Sequence, residues 1–239
     1  MRFILIGRGR MGSLIRQTAE AAGDECEAVF GANDLDQLAK LGKVADVVID
    51  FSRPEALAEV CSYVRRTGTP LLSGTTGYTP EQLAQLRGLG DAAPVLWSAN
   101  YSLGVAALYR ALRTVSDVLK TDFDIEITET HHNQKVDAPS GTAKLLLDAV
   151  DPDHAMTPVY GREGFTGQRT KDEIGIHALR GGTVAGTHTV HFFGPDEELE
   201  FTHRAASRQI FVNGAVHMAR LLADKPIGVY ELQTLLVGD

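Results

Sequence analysis

Along the first hundred residues, short apolar runs alternate with stretches whose apolar positions recur every three to four residues. Residues 2–7 (RFILIG) form a nearly continuous apolar run, as expected of a central parallel strand covered on both faces. Residues 11–22 then place Met11, Leu14, Ile15, Thr18, Ala19 and Ala22 on one helical face. Further strands are predicted at residues 25–30 (ECEAVF), 46–51 (DVVIDF), 70–74 (PLLSG) and 94–99 (PVLWSA). Helices are predicted between them at residues 54–66, with Pro54 in the first turn, and 79–89, with Thr79 as N-cap before Pro80. Strands alternating with helices predict a doubly wound parallel sheet.

The pattern changes near residue 102. Val105, Leu108, Leu112, Val115 and Leu119 fall at helical spacing, and then residues 122–130 alternate strictly. Phe123, Ile125 and Ile127 take one face of that strand, and Asp124, Glu126 and Thr128 the other, as in a sheet covered on one side. Residues 174–179, 187–193 and 198–205 alternate in the same way. Residues 151–173 are polar and glycine-containing and read as a long loop, either functional or ordered at a subunit interface. Residues 213–222 return to helical spacing, and residues 230–236 continue that character. The expected second domain, residues 102–212, is therefore α+β with a mixed open sheet.

Composition narrows the function without naming it. The chain has 239 residues, 44% of them hydrophobic and 23% charged, as in ordinary globular proteins. No apolar run is long enough to span a bilayer, and the N-terminal run is too short for a signal peptide, so a cytoplasmic protein is expected. A net charge of −8 argues against nucleic-acid binding but allows a locally basic site for a small anion. Cys26 and Cys61 sit in apolar-periodic segments and read as buried free thiols rather than a disulfide.

Candidate chemistry begins directly after the first strand. Gly7-Arg8-Gly9-Arg10-Met11-Gly12 is a G-x-G-x-x-G between a strand and a helix, the context in which that motif binds a dinucleotide. Gly7 permits the turn, Gly9 leaves room for a pyrophosphate, and Gly12 lets the helix pack closely. The helix start adds free amides, and Arg8 and Arg10 add charge. Ligands of such sheets lie beyond the carboxyl ends of the strands. Those ends carry Asp50-Phe51-Ser52, Gly74-Thr75-Thr76-Gly77 and Ser98-Ala99-Asn100-Tyr101, suited to a Rossmann-type cofactor cleft. After the second strand, Phe30-Gly31-Ala32-Asn33-Asp34 offers Asn33 toward a ribose and Asp34 as a helix N-cap. It shows neither a clear acid for a 2′-hydroxyl nor a clear Arg for a 2′-phosphate, so NADH and NADPH both stay open.

The densest cluster is residues 126–144, EITETHHNQKVDAPSGTAK. The strand brings Glu129, His131, His132 and Lys135 to its end. Pro139 and Ser140 then open a helix over residues 141–150, with Ser140 as N-cap. The amides of Gly141 and Thr142, with Lys135 and His132, make an anion-binding cup beside a titratable imidazole. Zinc is the rival explanation for paired histidines, but adjacent strand residues point to opposite faces and no further ligand is near, so no metal is expected. His177, His188, His191 and His203 lie on later strands, where packing roles are expected, and Arg180 reads as a solvated turn residue.

E-x-H-H-x-x-K-x-D-A-P-S-G-T, from Glu129 to Thr142, resembles the signature of the 4-hydroxy-tetrahydrodipicolinate (dihydrodipicolinate) reductases of lysine and diaminopimelate biosynthesis. The GRGRMG turn, the three strand-end groups, Gly186-Thr187-His188-Thr189-Val190 and the stretch from Thr202 to Arg208 resemble that family in the same order. The resemblance implies His131 as proton donor and acceptor, Lys135 as second proton donor, and His132, Gly141 and Thr142 as substrate ligands. It implies that Gly7, Arg8, Gly9, Arg10, Met11, Gly12, Gly74, Thr75, Thr76, Ser98, Ala99, Asn100 and Tyr101 hold NADH or NADPH. It further implies a cyclic dicarboxylate substrate, a homotetramer, and last helices returning to the nucleotide domain, which would comprise residues 1–101 and 213–239. Two alternatives remain. Another two-domain dehydrogenase of amino-acid metabolism would more often carry a catalytic Cys in a turn. A nucleotide sensor without activity would be expected to lose His131 or Lys135.

Overall fold

The computed structural model describes residues 1–236 and divides into two compact units, Met1–Leu103 with the chain from Gln209 onward, and Gly104–Arg208. The last three residues of the expected 213–239 segment lie outside the described residues.

The first unit is a six-stranded parallel sheet. Its strands are β1 (Arg2–Ile6), β2 (Glu25–Phe30), β3 (Val47–Asp50), β4 (Leu71–Ser73), β5 (Pro94–Trp97) and β11 (Gly228–Tyr230). Their order is β11-β5-β4-β3-β1-β2, all parallel, so the order reverses between β1 and β3. Phe3, Ile4, Leu5 and Ile6 are all buried, which explains the unbroken apolar run. Helices α1 (Arg10–Ala21), α2 (Leu57–Thr67), α3 (Pro80–Arg87) and α6 (Gln209–Ala223) belong to this unit. Pro54 opens a 3-10 turn that leads into α2. Thr79 caps α3 reciprocally with Gln82. The helical character expected through residues 230–236 is only partly present. β11 extends the sheet beside β5, and α7 (Leu232–Leu235) follows. Three edge residues, with Val229 half exposed, are too few to show a period of two.

The second unit is a mixed sheet of β6 (Asp124–His131), β7 (Thr157–Tyr160), β8 (Glu173–Arg180), β9 (Gly186–Gly194) and β10 (Glu197–Ala205), in the order β10-β9-β6-β8-β7. β9 is antiparallel to β6 and β10, and β8 is parallel to β6 and β7. Ile125, Ile127, Ile174, Ile176, Val190 and Phe192 meet Leu112 of α4 (Leu103–Leu119) and Ala143, Leu146, Ala149 and Val150 of α5 (Gly141–Val150). The opposite face carries Glu126, Thr128, His177, Thr189 and His191. The expected loop 151–173 holds strand β7, whose exposed edge position gave no alternation to read. The loop is also tied to the sheet. Glu126 accepts from Arg162 (2.8 and 2.9 Å), Arg169 (3.1 Å) and His177 (2.9 Å).

Candidate active site

β6 alternates buried and half-buried residues along its whole length, so Glu129 and His131 continue the face of Ile125 and Ile127 toward α5. Glu129 is wholly buried. His131 Nδ1 lies 2.6 Å from Glu129 Oε2, and the Ser140 amide donates to Glu129 Oε1 at 3.0 Å. Arg180 grips the same carboxylate with two nitrogens at 2.8 Å each, and donates to the Asp137 carbonyl at 2.8 Å. Arg180 is therefore not the solvated turn residue expected. The parallel register sets it opposite His131, a relation across 49 residues that sequence spacing does not carry. Burial alone would raise the Glu129 carboxyl, but hydrogen bonds from Arg180, His131 and the Ser140 amide outweigh it and hold it below the usual carboxylate range.

Ser140 caps α5, its hydroxyl accepting from the Ala143 amide at 3.1 Å and lying 2.9 Å from His188 Nε2. Gly141 is exposed and Thr142 half-buried at this helix start, where the helix dipole favours an anion. His188 is buried edge-on to His131, ring centroids 5.0 Å apart. Burial, with His131 beside it, pushes its imidazole down to about 4, so His188 is neutral at neutral pH. His188 thus belongs to the site, contrary to a purely packing role; its sequence signal was its place in the GTHTV stretch. Lys135 pairs with Asp137 at 2.7 Å, and His132 follows the strand end, half-buried. The second unit so brings His131, Arg180 and the Ser140 amide onto Glu129, with Gly141 and Thr142 following Ser140 and with His132 and Lys135 following His131 in the chain.

In the first unit, the glycines of the first turn divide as their spacing predicts. A side chain on Gly7, at φ +114°, would meet the Phe51 carbonyl at 2.3 Å, and one on Gly12 would meet the Gly7 carbonyl at 2.0 Å. Around Gly9 there is open space, which suits the approach of a pyrophosphate to α1. The turn therefore fits a dinucleotide. Arg10 and Met11 open α1, with Arg10 exposed. Arg8 pairs with Asp34 and donates to the Val29 carbonyl at 3.0 Å. Asp34 does not cap the 3-10 turn that follows it; its other oxygen accepts from the Gly31 amide at 2.7 Å. An acid and an arginine thus do stand beyond β2, and the arginine comes from the first turn.

Buried Asp50 gathers the neighbouring strand ends. It accepts from Ser52 (Oγ 2.6 Å), Ser73 (2.9 Å), Thr75 (2.9 Å) and Tyr78 (3.1 Å). Burial, with Asp50 beside it, raises the Tyr78 hydroxyl well above its ordinary range, so it stays a donor. Thr75 is buried by this network while Thr76 is exposed. A side chain on Gly74 would enter the Phe51 ring. Ser98 bonds the Asn100 backbone, Asn100 Oδ1 accepts from the Ser102 amide, Ala99 is exposed, and Tyr101 is buried with its hydroxyl on the Ser73 carbonyl. Tyr78 escaped sequence reasoning, since a lone Tyr in a Gly-Thr loop has no spacing signature.

Cys26 and Cys61 are free, and burial raises both thiols, Cys61 to about 11, so neither is an activated nucleophile. Among the described residues, the one group of histidine and carboxylates with metal-like spacing is His191, Glu198 and Glu200, on β9 and β10 and apart from the paired histidines.

The family model for the N-terminus of dihydrodipicolinate reductase matches residues 1–101, and that for its C-terminus matches residues 104–236. A 4-hydroxy-tetrahydrodipicolinate reductase from an Exiguobacterium species is 40% identical over 98% of this chain and 95% of its own. That of Staphylococcus saprophyticus is 41% identical, covering 98% of this chain and all of its own. Among solved structures, dipicolinate-bound dihydrodipicolinate reductase from Paenisporosarcina sp. TG-14 shares the fold at a TM-score of 0.79 with 21% identity, covering 100% of this chain and 99% of its own.

Proposed function

This chain belongs to the dihydrodipicolinate reductase family, and we propose that His131 is the group through which it delivers a proton to its substrate. The protein is a nicotinamide-dependent oxidoreductase, a 4-hydroxy-tetrahydrodipicolinate reductase acting in lysine and diaminopimelate biosynthesis. When bound, NADH or NADPH supplies the hydride. Gly7, Gly9 and Gly12 with the start of α1 hold the cofactor's phosphates, supported by the open space at Gly9. Gly74, Thr75, Thr76 and the residues Ser98, Ala99, Asn100 and Tyr101 form the rest of its cradle.

The substrate is a cyclic dianion. His132 and the α5 start at Gly141 and Thr142 grip a carboxylate, and Lys135 supplies the countercharge and a second proton. Reduction leaves carbanion-like density on the ring, and a positioned imidazole removes that charge by giving up its proton. The observation that carries this reading is the His131 ring fixed at the strand end by Glu129, beside the α5 start.

Arg8 carries the charge that would meet a 2′-phosphate, and Asp34 the one that would meet a ribose hydroxyl. The NADPH to NADH rate ratio reports which of them faces the cofactor. Enzyme mixed with the condensation product of pyruvate and aspartate semialdehyde is expected to consume nicotinamide absorbance, and no consumption with either cofactor would sink the reading. His131→Gln is expected to lower kcat about 100-fold with little change in KM, while Thr142→Val chiefly raises KM. The reverse pattern would exchange their roles.

The assembly is a cytoplasmic homotetramer, with no nucleic-acid or membrane partner. Among the described residues, no helix is long and apolar enough to cross a membrane. Leu179 and Phe193 stand partly exposed on strands of the second sheet, which supports cover by another copy. Sedimentation equilibrium at four times the chain mass is the expected result.

A further inference from the structure

We propose that Glu129 is the positioning residue of this site. It fixes His131 in the tautomer that carries its proton on Nδ1, and with its second oxygen it fixes the start of α5, so one buried carboxylate sets both the proton donor and the anion grip. This rests on the reading of His131, Gly141 and Thr142 given above, and deepens it.

Glu129 is wholly buried and accepts from three residues. Oε2 takes His131 Nδ1 (2.6 Å) and Arg180 Nη1 (2.8 Å), and Oε1 takes Arg180 Nη2 (2.8 Å) and the Ser140 amide (3.0 Å). An ionised carboxylate can only accept, so Nδ1 must donate and bears the proton in every charge state of the ring. Nε2 is then the exchangeable position. It faces the space left by Gly186, where a side-chain carbon would lie 3.1 Å from it.

Arg180 keeps the carboxylate ionised where burial would otherwise neutralise it, and its bidentate grip fixes the carboxylate plane. By donating to the Asp137 carbonyl, it also ties down the loop that bears Lys135 and Asp137. The charged and titratable groups around the His131 ring are thus Glu129 on β6, Arg180 on β8 and His188 on β9, with Lys135 in the following loop near enough to act on His188. His188, neutral, leaves Glu129 as the anion in direct contact with the ring. The other end of the network is the α5 cap. Ser140 is held by its amide on Glu129 and by its hydroxyl against His188, so the orientation of the first α5 amides depends on the same carboxylate.

The test combines a spectroscopic and a kinetic readout on the full-length enzyme. Long-range ¹⁵N–¹H correlation of the neutral His131 ring is expected to show its proton on Nδ1. A proton on Nε2 overturns the proposal. Glu129→Gln is expected to redistribute that proton, lower kcat about 100-fold and raise KM as the Ser140 amide loses its charged acceptor. His131→Gln lowers kcat alone. If Glu129→Gln does not fold, Glu129→Asp withdraws the carboxylate by one methylene, and a loss of about 10-fold in kcat is expected with the tautomer no longer fixed. Native kcat and KM in a folded Glu129 variant overturn the proposal. If instead His131→Gln keeps full turnover, the proton-donor reading fails, and the tautomer measurement alone still decides what Glu129 does.

Discussion

Gly186 carries more consequence than its size suggests. Added to the backbone there, a methyl would stand 3.1 Å from His131 Nε2 and 3.6 Å from the His188 ring. Gly186 also sits at φ +156°, so Gly186→Ala should strain β9 and lower stability as well as crowd the nitrogen that exchanges the proton. Steady-state kinetics should show kcat reduced about 10-fold or more, with the loss in kcat exceeding any rise in KM. The dyad itself was partly legible in the sequence. Glu129 precedes His131 by two residues on an alternating strand, which puts both on one face. Their clamp was not legible, because Arg180 reaches them only through the pairing of β6 with β8. Acid sensitivity is also set by single residues. His188 titrates near 6.5 when unfolded but is pushed down to about 4 when folded, so between those values the unfolded chain binds the extra proton. Its contribution to stability is full above pH 6.5 and is lost as pH falls toward 4. Burial opposes the depression of Glu126, but Arg162, His177 and Arg169 outweigh it and hold the carboxyl at about 2 against an ordinary 4.5. Its contribution is lost lower, between those two values, with the same sign. The melting temperature should decline from pH 7 to pH 4, and His188→Gln should flatten that decline; a decline of unchanged slope would remove His188 as its cause.

At the level of elements, what could be read was what is long and central. β1 is buried on both faces and appears as an apolar run, and β6 is buried on one face and appears as an alternation. β7 and β11 escaped because short edge strands with exposed side chains have no period to display. Asp34 misled for another reason. Its residue type suits a helix cap, but the Gly31 amide and Arg8 take its oxygens first. Two caps that were legible now separate stability from function. Thr79 caps α3 and Ser140 caps α5, each accepting an amide of the first turn. Thr79→Ala and Ser140→Ala should each cost about 1 kcal/mol in denaturant unfolding. Only Ser140→Ala should also raise the substrate KM, because its hydroxyl holds the α5 start against His188, whereas the backbone amide on Glu129 is kept in the variant. Equal kinetic effects of the two would remove the anion grip from α5.

The whole chain is organised as one contiguous unit inserted into a discontinuous one. α6 buries Val212, Ala215, Val216, Met218, Ala219 and Leu222, and Gly214 meets the Tyr101 carbonyl so closely that no side chain would fit between them. This return was carried by resemblance to the family rather than by any periodicity, since an apolar helix does not announce which core it joins. Polar contacts also close the seam, Gln209 of α6 donating to the Thr18 hydroxyl of α1 at 2.9 Å and an ion pair lying beyond it. Asp24, just past α1, is buried and accepts from Arg220 of α6 at 2.8 and 3.2 Å, linking positions 196 residues apart. The exposed pair of Arg2 and Asp46 joins strands already held by β-pairing, and pairs of that kind contribute little. Asp24→Ala leaves both the Arg220 guanidinium and the buried Met1 ammonium, which Asp24 Oδ1 holds at 2.9 Å, without their carboxylate. With Arg220 partly exposed, the expected cost is about 2 kcal/mol, well below that of a fully buried pair. The single tryptophan, Trp97, stands at the end of β5 and reports on the discontinuous unit alone, whereas far-ultraviolet circular dichroism reports on both. In urea, Asp24→Ala should move the Trp97 fluorescence transition to lower concentration, while Asp46→Ala moves it by less than half as much. Equal shifts from the two variants would mean that the seam is closed by the apolar face of α6, with the ion pair adding no more than a surface contact.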